Sequence, residues 1–106
     1  MTAPDATPRA RPLFSLGQVG STAGALELLE RFGVNASDLL RRHQCGDWGD
    51  MAIDDKRCNE ESLRDGRRIF SAYRVGRTEE KLWIITDAVD ESGRRGQTVI
   101  LRPEDY

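Results

Sequence analysis

Three runs rich in β-branched and aromatic residues occupy the C-terminal part of the chain and constrain its fold more than any other feature. They are RRIFSAYRV (67–75), KLWIITDAV (81–89) and QTVILR (97–102), with turn-forming residues between them. Such runs predict β-strands joined by short connections. In the middle run Leu82 and Ile84 alternate with Trp83 and Ile85, so both faces are apolar. We therefore predict a three-stranded antiparallel meander with this run at its centre.

The N-terminal half has helical periodicity instead. In STAGALELLERFG (21–33) the apolar residues recur at the spacing of one helix face. NASDLLRRHQCG (35–46) and DDKRCNEESLRDG (54–66) predict two further short helices. The candidate N-terminal caps are Ser21 or Thr22, Asn35 or Ser37, and Asp54 or Asp55, and the candidate stops are Gly33, Gly46 and Gly66.

These elements predict an α+β domain in which two or three short helices cover one face of the meander. Residues 13–106 form this single domain, and residues 1–12, rich in Pro, Ala and Thr, are expected to be a disordered tail. The segment Leu13–Leu16 is either a strand or a core anchor. Gly17 and Gly20 are expected to frame a turn.

Composition narrows the functional classes. The chain has 106 residues and a net charge of −2, which gives no case for direct nucleic-acid binding. No apolar run is long enough to cross a membrane, and the N-terminus lacks the apolar segment of a signal peptide, so we expect a cytoplasmic protein. Two cysteines are too few for a disulfide scaffold.

The stretch HQCGDWGD (43–50) holds the most unusual residues. Its glycines allow backbone angles that other residues avoid, and its aspartates can form turns with nearby backbone N–H groups. Trp48, fixed between those turns, either fills the edge of the core or stands exposed as a binding anchor. We favour the core position, because a small domain needs the aromatic volume.

A metal or catalytic site can be drawn from the same stretch. His43, Cys45 and Cys58, with Asp47 or Asp50, could supply ligands, but they lack the paired short spacing of zinc sites. We therefore predict no metal and no cofactor. His43 with the nearby acids could support a small hydrolase or nuclease. The alternative is that His43 simply satisfies carbonyls at a helix C-terminus.

Charge is uneven along the chain. Residues 45–65 contain seven acids and three bases. We predict a partner-binding acidic surface formed by Asp47, Asp50, Asp54, Asp55, Glu60 and Glu61, because complementary charge speeds and directs association. The basic pairs Arg67–Arg68 and Arg94–Arg95 are either solvated charges or contacts for a phosphate or a partner.

Several stretches together resemble a family of small proteins carried on bacterial plasmids and integrative elements, at times labelled after a type I restriction subunit. They are LFSLGQVGSTAGALELLERFG, RHQCGDWGDM, DDKRCNEESLRDGRRIFSAY, LWIITDA and TVILRPEDY. The loop ESGRRGQT is longer than is usual there. The resemblance implies a mobile-element context and carries over no catalytic residue.

The leading hypothesis is therefore a non-catalytic protein of the anti-CRISPR or anti-restriction type. It would bind and inhibit a host nucleic-acid-processing defence complex through its acidic surface. The alternatives are the small hydrolase or nuclease built on His43, and an accessory regulator of the element itself.

Overall fold

The computed structural model describes Arg9 and residues 11–106. In chain order these residues form strand β1 (Gln18–Ser21), helices α1 (Ala23–Phe32), α2 (Ala36–Gln44) and α3 (Ile53–Asp65), strands β2 (Ile69–Arg74), β3 (Lys81–Thr86) and β4 (Gln97–Leu101), and a short 3₁₀ helix (Pro103–Asp105). The predicted α+β class is confirmed.

One four-stranded sheet organises the molecule, with the strand order β1-β4-β3-β2. The three predicted strands pair antiparallel, and Ile84 of the central strand lies opposite Ser71 on one side and Ile100 on the other. The prediction of a purely antiparallel three-stranded sheet was incomplete, however. A fourth strand, β1, pairs parallel to β4, with Gln18 opposite Gln97.

Strand β1 lies where the sequence predicts a turn between Gly17 and Gly20. Gly17 does turn the chain, with a left-handed φ of 64°. Gly20, in contrast, is part of the strand and lies opposite Val99. The segment has a single apolar residue, Val19, and is too short to show strand alternation. Its backbone bonds come from a strand far away in sequence, which no local pattern reveals.

The first two helices begin at predicted caps. The Thr22 side chain accepts a hydrogen bond from the backbone N–H of Ala25, and the Asn35 side chain accepts one from Ser37. Helix α1 ends at Gly33, whose φ of 62° is left-handed.

The cap of α3 was wrongly predicted. Ala52, not Asp54 or Asp55, occupies the N-cap position and makes no side-chain hydrogen bond there. The two aspartates lie in the first helical turn, where their charges interact favourably with the helix dipole. The predicted stop at Gly66 is confirmed, with a left-handed φ of 79°.

The main core lies between the sheet and the first two helices. Helices α1 and α2 contribute Ala25, Leu28, Leu29 and Leu39, and the strands and their connections contribute Tyr73, Val75, Leu82, Ile84 and Ile100. Because strand residues alternate, Phe70, Trp83, Ile85 and Val99 lie on the opposite face of the sheet, where they are half-buried.

Most of the predicted tail, residues 1–8 and Ala10, lies outside the described residues. Arg9 is described, and its guanidinium binds both carboxylate oxygens of Glu60 at 2.9 and 2.6 Å. Its backbone N–H donates to the carbonyl of Cys45. Arg9 is therefore docked on the domain.

Candidate functional site

Trp48 is a core residue, with 1% of its surface exposed. Its ring stacks on that of Phe14 with centroids 6.5 Å apart and meets the His43 ring edge-on at 6.1 Å. The indole N–H donates to Glu60 Oε2 at 3.0 Å. The preferred interpretation of Trp48 is thus confirmed, and its use as an exposed anchor is excluded. Phe14 serves as the core anchor predicted for its segment.

The glycines beside Trp48 let the loop run along the outer edge of β2. Ala72 donates to the carbonyl of Trp48 at 3.2 Å and accepts from the backbone of Asp50 at 2.7 Å, as a neighbouring strand would. Gly49 lies between them with a φ of 81°. A Cβ atom at Gly49 would overlap the Ala72 carbonyl oxygen, so only glycine permits this approach.

The side chain of Asn59 completes the cover of the same edge. Its amide donates to the carbonyl of Phe70 at 2.6 Å, and its oxygen accepts from the Phe70 N–H at 3.1 Å. Asn59 is 3% exposed. The Asn59 carboxamide thus satisfies both backbone groups of Phe70, as a neighbouring strand would, and it joins α3 to β2.

His43 is fully buried within a chain of hydroxyl groups. Its Nδ1 lies 2.6 Å from Ser71 Oγ, and its Nε2 lies 2.9 Å from Thr86 Oγ1. Thr86 in turn lies 2.6 Å from Thr98 Oγ1, which donates to the carbonyl of Leu16. Since each hydroxyl donates only one proton, Thr86 donates to Thr98, and His43 carries its proton on Nε2.

This environment keeps the His43 ring neutral. Burial, with a smaller contribution from the positive charge of Arg95, lowers the pKa of His43 from 6.5 to about 3. The prediction that His43 satisfies carbonyls at the end of α2 was wrong, because the ring turns into the core. Both ring nitrogens are occupied by hydroxyl groups, so His43 cannot reach a substrate as a general base.

The proposed metal ligands are also separated. Cys45 is buried, whereas Cys58 is exposed on α3. Across Arg9 and residues 11–106, no group of three His, Cys, Asp or Glu side chains is placed to hold a metal ion.

Five of the six predicted partner-binding acids form ion pairs within the chain, and Asp47, Glu60 and Asp50 also have further contacts or shifted pKa values. Asp47 pairs with Arg42 at 2.6 Å and also accepts from the Gly49 N–H, the turn expected from the sequence. Burial raises the pKa of Glu60, but hydrogen bonds from Arg9 and Trp48 outweigh it, so the pKa is lowered overall. Asp50 binds Lys81 and Arg74, which together lower its pKa.

The other three acids, Asp54, Asp55 and Glu61, lie on α3. Asp54 has 85% of its side chain exposed and pairs with Arg57, one turn further along the helix. Glu61 is 45% exposed and pairs with Arg67. Such surface pairs contribute little to stability, so these carboxylates can exchange their partners readily.

A groove of about 480 Å³ separates the N-terminal half of α3 from the outer face of the sheet. Its floor is aromatic, with the rings of Phe70 and Trp83 4.8 Å apart. Charged side chains from both sides reach its walls: Asp50, Asp55, Arg68 and Lys81. At one end Tyr106 meets Trp83 edge-on at 5.7 Å.

The two basic pairs have different roles. Arg67 and Arg68 are exposed, and Arg68 donates to the Tyr106 hydroxyl at 2.8 Å. Arg95 is 7% exposed and binds three backbone carbonyls, including that of Ser62 in the last turn of α3. A cation there compensates the negative end of the helix dipole. Arg95 is therefore a structural residue, not a solvated charge.

Sequence reasoning missed the groove, although one signal for it was visible. Apolar residues on both faces of β3 indicated that something lies over the outer face as well as the inner one. Asn59 had no such signal, because an asparagine within a polar helix is ordinarily solvated.

No family model, no curated protein and no solved structure matches the chain. None of the helices in the described part is both long and apolar enough to span a bilayer.

Proposed function

We propose that the chain acts by binding a partner and not by catalysing a reaction. The proposed contact surface is the groove together with the exposed acids of α3, Asp54, Asp55 and Glu61, and is called the acidic groove face below. The observation that carries the proposal is this open aromatic groove beside exposed carboxylates. Aromatic floors with polar rims are typical of protein interfaces.

The position of His43 supports binding over the hydrolase or nuclease alternative. That alternative required the only histidine of the chain to act with nearby acids. The ring is instead neutral and enclosed by hydroxyl groups. We accordingly retain the binding hypothesis and give the histidine a structural role.

The partner we propose is a host nucleic-acid-processing defence complex, which the chain would inhibit. This choice rests on the resemblance to mobile-element proteins and on charge. Complexes that handle nucleic acids present basic surfaces. The carboxylates of Asp54, Asp55 and Glu61 would complement such a surface, with Asp54 and Glu61 exchanging their present partners Arg57 and Arg67 for groups of the complex. We centre the acidic contact set on Asp54, Asp55 and Glu61. Asp47 and Glu60 are engaged by Arg42, Arg9 and Trp48. Asp50 lies on the groove wall in exposed pairs with Arg74 and Lys81.

The test uses phage infection of bacteria that carry either a type I restriction system or a CRISPR system. Expression of the chain should raise the plating efficiency of phage in one of these hosts. Neutralising the acids in D54N/D55N/E61Q should abolish the effect. The matched control is E30Q/E79Q/E91Q, which removes three exposed acids elsewhere and should remain active.

Two results would contradict the proposal. If the native chain leaves plating unchanged in both hosts, it does not inhibit such a complex. If the D54N/D55N/E61Q variant is as active as the native chain, the acidic groove face is not the contact surface. A thermal melt of each variant verifies that it is folded.

A further inference from the structure

The two edges of the sheet differ in whether other parts of the chain cover them. The edge at β2 is covered by the loop of Trp48 and Asp50 and by the side chain of Asn59. The edge at β1 has no such cover within the described residues. Val19 at this edge is 49% exposed, although it is apolar. An uncovered edge strand is a template for pairing with another strand.

The backbone of β1 offers two residues to a partner strand. Gln18 and Thr22 donate to carbonyl oxygens on the β4 side at 3.0 Å each. Because successive residues of a strand point their backbone groups to opposite sides, Val19 and Ser21 direct theirs away from the sheet. These outward groups accept and donate no hydrogen bond within Arg9 and residues 11–106.

The sequence segment that contains β1 is also uncharged. From Pro12 to Leu26 the sequence has no Asp, Glu, Lys, Arg or His, although 32% of all residues are charged. Natural proteins protect sheet edges with charged side chains, prolines, bulges or very short strands. Strand β1 is short, at four residues, but its sequence QVGS contains no charge and no proline.

We propose that β1 pairs antiparallel with β1 of a second copy of this chain, about a two-fold axis at Gly20. Val19 then lies opposite Ser21 of the copy, and the outward groups of both residues form four hydrogen bonds. Because residues 12–26 carry no charge, two copies of β1 can pair without placing like charges on opposite strands. A charged edge strand would repel its own copy. The result is one continuous sheet through two molecules.

Gly20 fits the centre of this arrangement. The two Gly20 residues would form a non-hydrogen-bonded pair, in which α-carbons approach to about 4.5 Å. A Cβ atom added at Gly20 would meet nothing within 4 Å in the single chain. The contact between the two β1 strands is short. We expect it to bury less than the roughly 1,000 Å² that stable interfaces exceed, and the dimer to be weak.

Sedimentation velocity at rising protein concentration tests the proposal. The native chain should shift from monomer toward dimer. Val19→Lys should remain a monomer, because it places a charge on the edge of each copy. The matched control, Ile53→Lys, adds the same charge at a site that is 57% exposed on α3 and should dimerise like the native chain. A native chain that stays monomeric, or a Val19→Lys variant that still dimerises, would overturn the proposal.

Cross-linking tests the position of the axis. In a Cys58→Ser background, which removes the exposed native thiol, Gly20→Cys should form a disulfide-linked dimer when oxidised glutathione is added. The α-carbon separation lies within the range that disulfides span. Ser92→Cys in the same background is the exposed control and should cross-link far less. Equal cross-linking of both variants would show random collision and would refute pairing at β1.

Discussion

Acidification should destabilise this protein through His43 before its carboxylates contribute. The pKa of His43 is about 3 in the folded chain and 6.5 in its ordinary state. The folded state therefore binds fewer protons than the unfolded state between these values. The stabilisation from a neutral His43 is complete above pH 6.5 and is lost progressively as the pH falls toward 3.

The magnitude follows from the size of the pKa shift. Each pKa unit corresponds to about 1.4 kcal/mol, so the whole shift is worth about 5 kcal/mol. Between pH 7 and pH 5 only part of it is lost, about 2 kcal/mol. The carboxyl groups with lowered pKa values, such as Asp50 and Glu60, have ordinary values of 3.8 and 4.5 and contribute mainly below that window.

The assay is urea denaturation at pH 7 and pH 5, followed by tryptophan fluorescence. The control is His43→Gln, whose amide can accept from Ser71 and donate to Thr86 without titrating. Between pH 7 and pH 5, the free energy of unfolding of the native protein should fall by about 2 kcal/mol more than that of the variant. If both proteins lose the same free energy of unfolding, His43 is not held neutral by the fold, and the reasoning fails.

Three further predictions concern the residues around the covered edge of β2. Trp48→Ala should cost about 3–5 kcal/mol of unfolding free energy in urea, because it empties a large core site. Iodoacetamide should modify Cys58 in the native protein and Cys45 only after denaturation, as mass spectrometry of the peptides would reveal; native modification of Cys45 would contradict its burial. Asn59→Leu should cost about 1–3 kcal/mol for each backbone group left unpaired and should speed hydrogen exchange at the Phe70 amide. Unchanged exchange would show that the carboxamide is dispensable.

The elements that the sequence predicts well are those that local physics determines. The three helices and strands β2, β3 and β4 show their own periodicity, and their limits lie at residues with special backbone angles, such as Gly33 and Gly66. Trp48 could be assigned to the core because a small domain needs aromatic volume. None of these inferences required knowledge of distant contacts.

The features that sequence reasoning missed all depend on contacts between distant segments. Strand β1 exists because β4 supplies its partners. His43 enters the core because Ser71 and Thr86 offer hydroxyl groups there, and Arg95 is buried because carbonyls from two other segments surround it. The candidate site changed for the same reason. Charge along the chain predicted an acidic surface, but it did not reveal that Asp47, Glu60 and Asp50 pair with Arg42, Arg9 and Lys81.

The parallel pairing of β1 with β4 also sets the order in which the chain can fold. Gln18 is synthesised well before Gln97, yet each is the other's partner. During translation β1 has no strand to join until β4 has left the ribosome. The hairpin of β2 and β3 can form before that moment, whereas β1 can join the sheet only after β4 is available. Contacts of such large sequence separation slow folding. Because β1 pairs only with β4, a chain truncated before β4 loses both strands from the sheet.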